Sequence, residues 1–275
     1  MTSPAAAADD AGLEALMLKI ERARGLKLTS YKQPCLRRRL AVRMRARGVH
    51  SFADYGRLLD RTPEEYELLL DALTINVTKF FRNPETYTLL AERVVPELCA
   101  LGTPLKVWSA GCASGEEPYT LALLFAEAFA ARPGDPRARV AIDATDLDPG
   151  ALEAVTRASY AAPAVEEVPP ALLSRHFTAG PPYAVRDTIK RLVRPRRHDL
   201  TQDPPPAPPY HLIVCRNVVI YFDRATQERL FVTFFDALAP GGWLLLGKVE
   251  TLFGAARAQF RLEDARERLY RRPPA

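Results

Sequence analysis

The chain has 275 residues, 48% hydrophobic and 26% charged, with a net charge of +5. That composition is ordinary globular material, long enough for one large domain or two unequal ones. No apolar run approaches the roughly 18 residues that would span a bilayer, and MTSPAAAADDAGLEAL lacks the basic start and apolar core of a secretory signal, so the expected location is the cytoplasm. Cys35, Cys99, Cys112 and Cys215 have no paired spacing and read as reduced thiols. His50, His176, His198 and His211 have no metal-ligand spacing, so no metal is expected.

Residues 1–11 read as a disordered tail, and 12–75 as a small helical domain. Leu13, Leu16, Met17 and Ile20 make one apolar stripe; Leu36, Leu40 and Met44 make a second. Arg37, Arg38, Arg39, Arg43, Arg45 and Arg47 cover the rest of that second helix, which Gly48 ends. From Arg22 to Ala53 there are ten Lys or Arg and no Asp or Glu, so the remainder of the chain sums to −5. Such a segment is either a docking face for an anionic partner or a solvated helix surface. Ser51 caps a third helix, and Thr62-Pro63-Glu64-Glu65 starts a fourth. Residues 76–103 read as a linker and helix, in which Asn76, Thr78 and Arg82 surround Phe80 and Phe81.

From residue 104 to 275 strands alternate with helices. Leu105 to Trp108 is a strand and Glu116 to Ala130 a helix. Pro133 to Pro136 is a loop, Val140 to Thr145 a strand ending at Asp146, and Gly150 to Ala158 a helix. Tyr210 to Cys215 is a strand, Arg224 to Ala239 a helix, and Trp243 to Leu246 a strand after a tight Pro240-Gly241-Gly242 turn. This alternation predicts a parallel sheet covered on both faces, with ligand at the carboxyl ends of its strands. At about 175–198 the alternation breaks, and a small antiparallel β insertion is expected. Gln202 to Tyr210 is a proline-rich surface loop, and the C-terminal stretch closes as a hairpin. Asp143, inside its strand, is expected to face outward.

The turn after the first strand carries Gly111 and Gly115, then Glu116 and Glu117. So little side-chain bulk lets a ligand touch backbone. A dinucleotide fold puts phosphate at such a helix start. Carboxylates there repel phosphate and suit an ammonium group or ribose hydroxyls, which points to S-adenosylmethionine. The rival reading is a helix start favoured by its dipole. Asp146 reads either as acceptor for ribose hydroxyls or as a cap for the next helix. In CRNVVIYFD, Arg216 and Asn217 leave a buried strand and Tyr221 follows; they form either a ligand clamp or an internal ion pair beside a core tyrosine. Cys112 reads as a small packed residue.

Together NVTKFFRNPETY, VWSAGCASGEEPYTLAL, ATDLDPGAL, CRNVVIYFD and PGGWLLLGKVETL resemble, in order, the motifs of the CheR family of chemotaxis receptor methyltransferases. The resemblance implies an all-α N-terminal domain and a Rossmann-like methyltransferase domain holding a small antiparallel β-subdomain. It implies S-adenosylmethionine-dependent methylation of receptor glutamates, with S-adenosylhomocysteine as product. The implied cofactor contacts are Asn76, Thr78, Arg82, Gly111, Glu117, Asp146, Arg216 and Asn217, with Asp199-Leu200 after His198, where relatives often have Asn. Arg216 and Tyr221 are the expected catalytic pair. Arg37, Arg38, Arg43 and Arg45 are the expected docking residues for a receptor's cytoplasmic helical bundle. Gly247-Lys248-Val249-Glu250 departs from the family's Gly-His-Ser-Glu, and with so short a β insertion binding of a receptor tether peptide is not expected. A monomer is expected. A nucleic-acid methyltransferase would also explain the basic charge, although nothing resembles Asn-Pro-Pro-Tyr. A non-catalytic cofactor sensor is the other rival.

Overall fold

In the computed structural model, residues 4–74, 77–130 and 140–275 are described, with side chains from residue 9 onward. The chain divides into two units: Met1–Ile75 with Tyr221–Thr226, and Asn76–Ile220 with Gln227–Ala275.

The first unit holds α1 (Pro4–Arg24), α2 (Gln33–Ala46), α3 (Phe52–Arg61) and α4 (Glu65–Leu73). Both apolar stripes read from the sequence are buried. α1 packs on α3 and α2 on α4. The Ser51 hydroxyl accepts the Asp54 N–H at 3.1 Å, the cap that starts α3. The expected irregular tail is corrected: helix begins at Pro4, in an alanine-rich run of high helix propensity, and residues 1–3 lie outside the described part. A second correction concerns Tyr221–Thr226, expected within the methyltransferase domain. The Tyr221 carbonyl accepts from Lys32 N–H, the Asp223 N–H donates to Ser30, and the Tyr31 and Phe222 rings meet edge-on at 5.1 Å. Backbone pairing therefore places this segment among the helices.

The second unit begins with α5 (Pro84–Leu89) and α6 (Val95–Ala100), joined by a π-helical turn. There follow β1 (Leu105–Ala110), α7 (Glu116–Ala130), β2 (Val140–Asp146), α8 (Pro149–Arg157), β3 (Ser159–Tyr160), α9 (Ala162–Val165), α10 (Pro170–His176), β4 (Tyr183–Ala184), α11 (Asp187–Lys190) and β5 (Val193–Arg197). β6 (Tyr210–Cys215), α12 (Arg224–Ala237, whose first residues, Arg224 to Thr226, fall in the first unit), β7 (Leu238–Leu246), α13 (Gly254–Gln259), β8 (Arg261–Asp264) and β9 (Leu269–Arg271) complete it. The predicted loop at Pro133–Pro136 lies outside the described residues.

Among the described residues, seven strands form one sheet in the order β5-β2-β1-β6-β7-β9-β8. The first five are parallel, and the β8–β9 hairpin adds antiparallel strands at one edge. The chain runs outward from β1 through β2 to β5, then returns to β6 on the other side of β1. The order therefore reverses between β1 and β6, where sheets of this kind hold ligands beyond their carboxyl ends.

The β insertion differs from expectation. Among the described residues, only β3 and β4 form a separate antiparallel ribbon. The stretch expected to continue it is β5, an edge strand parallel to β2. Its Leu192 carbonyl and His198 N–H both bond β2, so the alternate position, Pro195, turns its missing N–H outward. A proline is tolerated there and blocks a further strand. Asp143 is also corrected: it is buried, and the Tyr210 hydroxyl donates to its carboxylate at 2.8 Å. That partner, 67 residues away, makes burial of an acid in mid-sheet tolerable.

Candidate functional site

Buried strands deliver the polar groups, because each strand leaves the core at its carboxyl end with a turn that need not be apolar. After β1, the Gly111 and Cys112 N–H groups both donate to the Thr145 carbonyl of β2, at 2.8 and 2.9 Å. The turn thus folds back over the neighbouring strand. Gly111 has φ +83°, and a Cβ there would lie 2.5 Å from Val218 Cγ2, so no other residue fits. Ala113, also left-handed at φ +46°, donates its N–H to Asp146 Oδ2 at 2.9 Å.

Asp146 therefore closes β2 with its carboxylate already gripping the Gly111 turn. Oδ1 accepts the Asp148 N–H at 3.1 Å. Asp148, not Asp146, caps α8, through the Gly150 N–H at 2.8 Å. Burial raises the Asp146 carboxyl above the usual aspartate range, partly offset by these N–H donors. Glu117 accepts the Ser109 hydroxyl at 2.7 Å. Burial raises its carboxyl, and the Arg216 charge pulls it back. Cys112 is buried and its thiol is pushed well up, chiefly by burial and then by Asp146 and Glu117, so it is a packed residue rather than a nucleophile.

Arg216 leaves β6 almost fully buried. Nη1 donates to the Arg82 carbonyl at 3.0 Å and the Tyr87 hydroxyl at 3.2 Å, while Nη2 donates to Asn83 Oδ1 at 2.7 Å. Its buried Nε has no partner among the described residues. Asn217 follows in a left-handed conformation, φ +60°. Glu250, quoted above only as part of a motif, accepts the Asn217 N–H at 2.9 Å. Asn83 and Tyr87 were not singled out, because their partner Arg216 lies 133 and 129 residues away; Ser109, eight residues from Glu117, was not singled out either.

Asn76 lies outside the described residues, and Thr78 is half-buried. Half-buried Arg82 donates to the Val77 carbonyl at 3.1 Å. The Asp199 carboxylate is committed to its own turn: Oδ1 takes Thr201 N–H at 2.8 Å and its hydroxyl at 2.7 Å, and Oδ2 takes Gln202 Nε2 at 2.7 Å. Leu200 beside it is half-buried. Glu117, Asp146, Gly111, Arg216 and Asn217 thus share one region around the β1 and β6 ends. Tyr221 is placed by the helical unit, with the Arg39 guanidinium 4.4 Å from its ring centre.

The expected docking residues separate. Arg37 pairs with Asp9 and Asp10 of α1, Arg38 is exposed beside Cys35, and Arg45 is exposed with Nε on the Ala41 carbonyl. Arg43 is corrected from a surface charge to a structural one. It clasps Glu65, 1% exposed, through Nε at 3.0 Å and Nη2 at 2.8 Å, and the Tyr55 hydroxyl also donates to Glu65.

The donor set suits S-adenosylmethionine. Two half-buried carboxylates, Glu117 and Asp146, neither closed off by a salt bridge among the described residues, provide for a cation and hydroxyls. The turn at Gly111 has no room for a side chain, and the buried Arg216 Nε has no acceptor among the described residues. No helix in the described residues is long and apolar enough to cross a membrane.

Comparison with known proteins agrees. The family described as CheR methyltransferase, all-alpha domain, matches residues 11–74, and CheR methyltransferase, SAM binding domain, matches residues 76–269. The chain is 37% identical over 244 residues to an uncharacterized 104.1 kDa protein in the hypE 3'region of Rhodobacter capsulatus, covering 87% of this chain but 25% of that protein. It is 35% identical to chemotaxis protein methyltransferase 2 of Pseudomonas aeruginosa, covering 86% of this chain and 85% of the relative. It is 33% identical to a chemotaxis protein methyltransferase of Listeria innocua, over 86% and 88%. A half-buried carboxylate pair on a Rossmann-like sheet and two matched domains lead to one conclusion: the chain belongs to the CheR methyltransferase family, with an all-α domain followed by a domain that binds S-adenosylmethionine.

Proposed function

We propose that the protein transfers the methyl of S-adenosylmethionine to glutamate side chains on the helical bundle of chemoreceptors, forming glutamate methyl esters and S-adenosylhomocysteine. The observation that carries the reading is Glu117, hydrogen-bonded to Ser109, within the field of a buried Arg216 whose Nε has no partner among the described residues. An acid and a fork donor so arranged match an amino-acid end, one taking the ammonium and the other the carboxylate. Asp146 is the acceptor for ribose hydroxyls. Thr78 and Arg82 close the same side, with Asn76 a further cofactor contact; the Gly111 turn and Asp199-Leu200 contribute backbone and an apolar surface, Asn217 shapes the acceptor side, and Tyr221 is the remaining catalytic candidate.

S-adenosylmethionine supplies a methyl on a sulfonium whose leaving group is a neutral thioether. The chain need supply no base, because a glutamate of pKa about 4.3 is already ionised near neutrality. Its work is to hold the reacting groups in line and keep water away from them. Arg38 and Arg45, exposed on α2, steer the acidic bundle, whereas the charge of Arg37 is taken up by Asp9 and Asp10. The protein acts as a cytoplasmic monomer.

The test is transfer of labelled methyl to membranes containing chemoreceptors. Base-labile methyl esters on receptor glutamates are expected. Label on DNA or RNA instead, or no transfer despite cofactor binding, would overturn the reading.

A further inference from the structure

The loop that carries Arg216 and Asn217 is fastened by one carboxylate to which the roles above give no part. Glu250 is 3% exposed. Its Oε2 accepts the Gly247 N–H at 2.6 Å and the Asn217 N–H at 2.9 Å, and its Oε1 accepts the Ile220 N–H at 3.3 Å. The Glu250 N–H closes the turn on the Gly247 carbonyl at 2.8 Å. One side chain therefore ties the turn after β7 to both ends of the 217–220 loop.

The approach is so close that Gly247 cannot carry a side chain: a Cβ would stand 2.6 Å from Glu250 Oε2 and 2.9 Å from Asn217 N. Glu250 makes no salt bridge among the described residues, and backbone N–H groups hold it. Its charge is felt by Arg216 and by Glu117. The outer side of the same turn is anchored by Lys248, which pairs with Glu85 and, at 3.4 Å, with Glu267. Asn217 is left-handed, a conformation that a non-glycine residue keeps only when its surroundings over-determine it.

We infer that Glu250 is a positioning residue for methyl transfer, setting the Asn217–Ile220 backbone, and with it Arg216 and Asn217, in its binding shape before ligand arrives. The inference rests on the functional reading above. Without Glu250 the left-handed Asn217 loses its anchor, and ligand binding must order the loop first. Affinity then falls in proportion to the fraction of loops in the competent shape.

The experiment uses the full chain and Glu250→Gln, which keeps shape and removes charge. Amide hydrogen exchange is followed at residues 217–220 without ligand, S-adenosylhomocysteine affinity by calorimetry, and KM and kcat by methyl transfer. Faster exchange confined to the loop is expected, with affinity lower by about tenfold, one lost hydrogen bond to a charged acceptor, and a matching rise in KM at nearly constant kcat. Gly247→Ala keeps the acid but displaces it, and is expected to give the same local lesion, which covers the case that Glu250→Gln does not fold. A lower melting temperature with unchanged loop exchange and unchanged affinity would overturn the inference and leave Glu250 a purely structural acid. A wild-type protein that binds S-adenosylhomocysteine but methylates no receptor would defeat the functional reading instead, because loop exchange and affinity are read without receptor.

Discussion

Arg216 Nη2 donates to Asn83 Oδ1 at 2.7 Å across 133 residues of sequence, while Nη1 of the same guanidinium takes the Arg82 carbonyl at 3.0 Å. A strand end from mid-sheet thereby fixes the segment that precedes the whole Rossmann-like alternation. A lysine offers a point charge and cannot span two acceptors in one plane. Arg216→Lys is therefore expected to weaken S-adenosylhomocysteine binding by roughly tenfold to a hundredfold, the loss of one or two charge-assisted hydrogen bonds. Calorimetry checks it, and affinity within a factor of about two of wild type would remove Arg216 from the ligand-binding role.

Asp146 grips the Ala113 N–H as well as serving as the proposed ribose acceptor. Asp146→Ala should abolish measurable cofactor binding and lower stability by about 1–3 kcal/mol, since the Ala113 N–H loses its acceptor. Asp146→Asn, which can still accept through its carbonyl, should recover most of the stability but little of the affinity. Equal affinity for Asn and wild type in a calorimetric titration would show that the charge is not used.

Glu117 gives a pH signature. Its carboxyl is raised above the ordinary glutamate value, chiefly by burial, so the folded ligand-free protein binds the proton more tightly than the unfolded chain. The stability this contributes is complete at low pH and is lost as pH rises through the folded value. Glu117→Gln removes the charged form, while its amide oxygen can still accept from Ser109. The variant should be more stable than wild type near neutrality and no more stable below the ordinary glutamate range. Urea melts at several pH values measure this, and a variant less stable at neutral pH would contradict it.

Two arginines of α2 should behave differently. Arg43→Ala takes from the buried Glu65 its forked partner and leaves Arg47, at 3.5 Å, as the remaining cation, so the loss falls below the roughly 3–5 kcal/mol of a fully broken buried pair. The expected result is a lower unfolding midpoint, seen by circular dichroism. Arg38→Glu and Arg45→Glu lie on exposed positions and should leave stability within about 0.5 kcal/mol. They should slow receptor methylation at low salt, with the difference shrinking at high salt as the steering field is screened. Unchanged rates at both salt concentrations would exclude docking through these positions.

Elements with a local cause could be read directly from the sequence. The helix Glu116–Ala130 and the strand Tyr210–Cys215 have the boundaries their apolar runs predict, because periodicity and flanking turns lie within a few residues of each other. The glycine turn, its two acids and the arginine after β6 were legible for the same reason: each is a departure from a buried apolar pattern. Partnership was not legible. Asp143 pairs with Tyr210, Arg43 with Glu65, and Glu250 with the N–H groups of Gly247, Asn217 and Ile220, and each match is settled only when the strands and helices are stacked. The edge strand Val193–Arg197 was misplaced because its exposed, basic residues carry no sign of which ladder their backbone joins. Local pattern decides which residues leave the core. Only the packed sheet decides which charge is neutralised, and so which remains for a ligand, because neutralisation depends on distances that chain order does not encode.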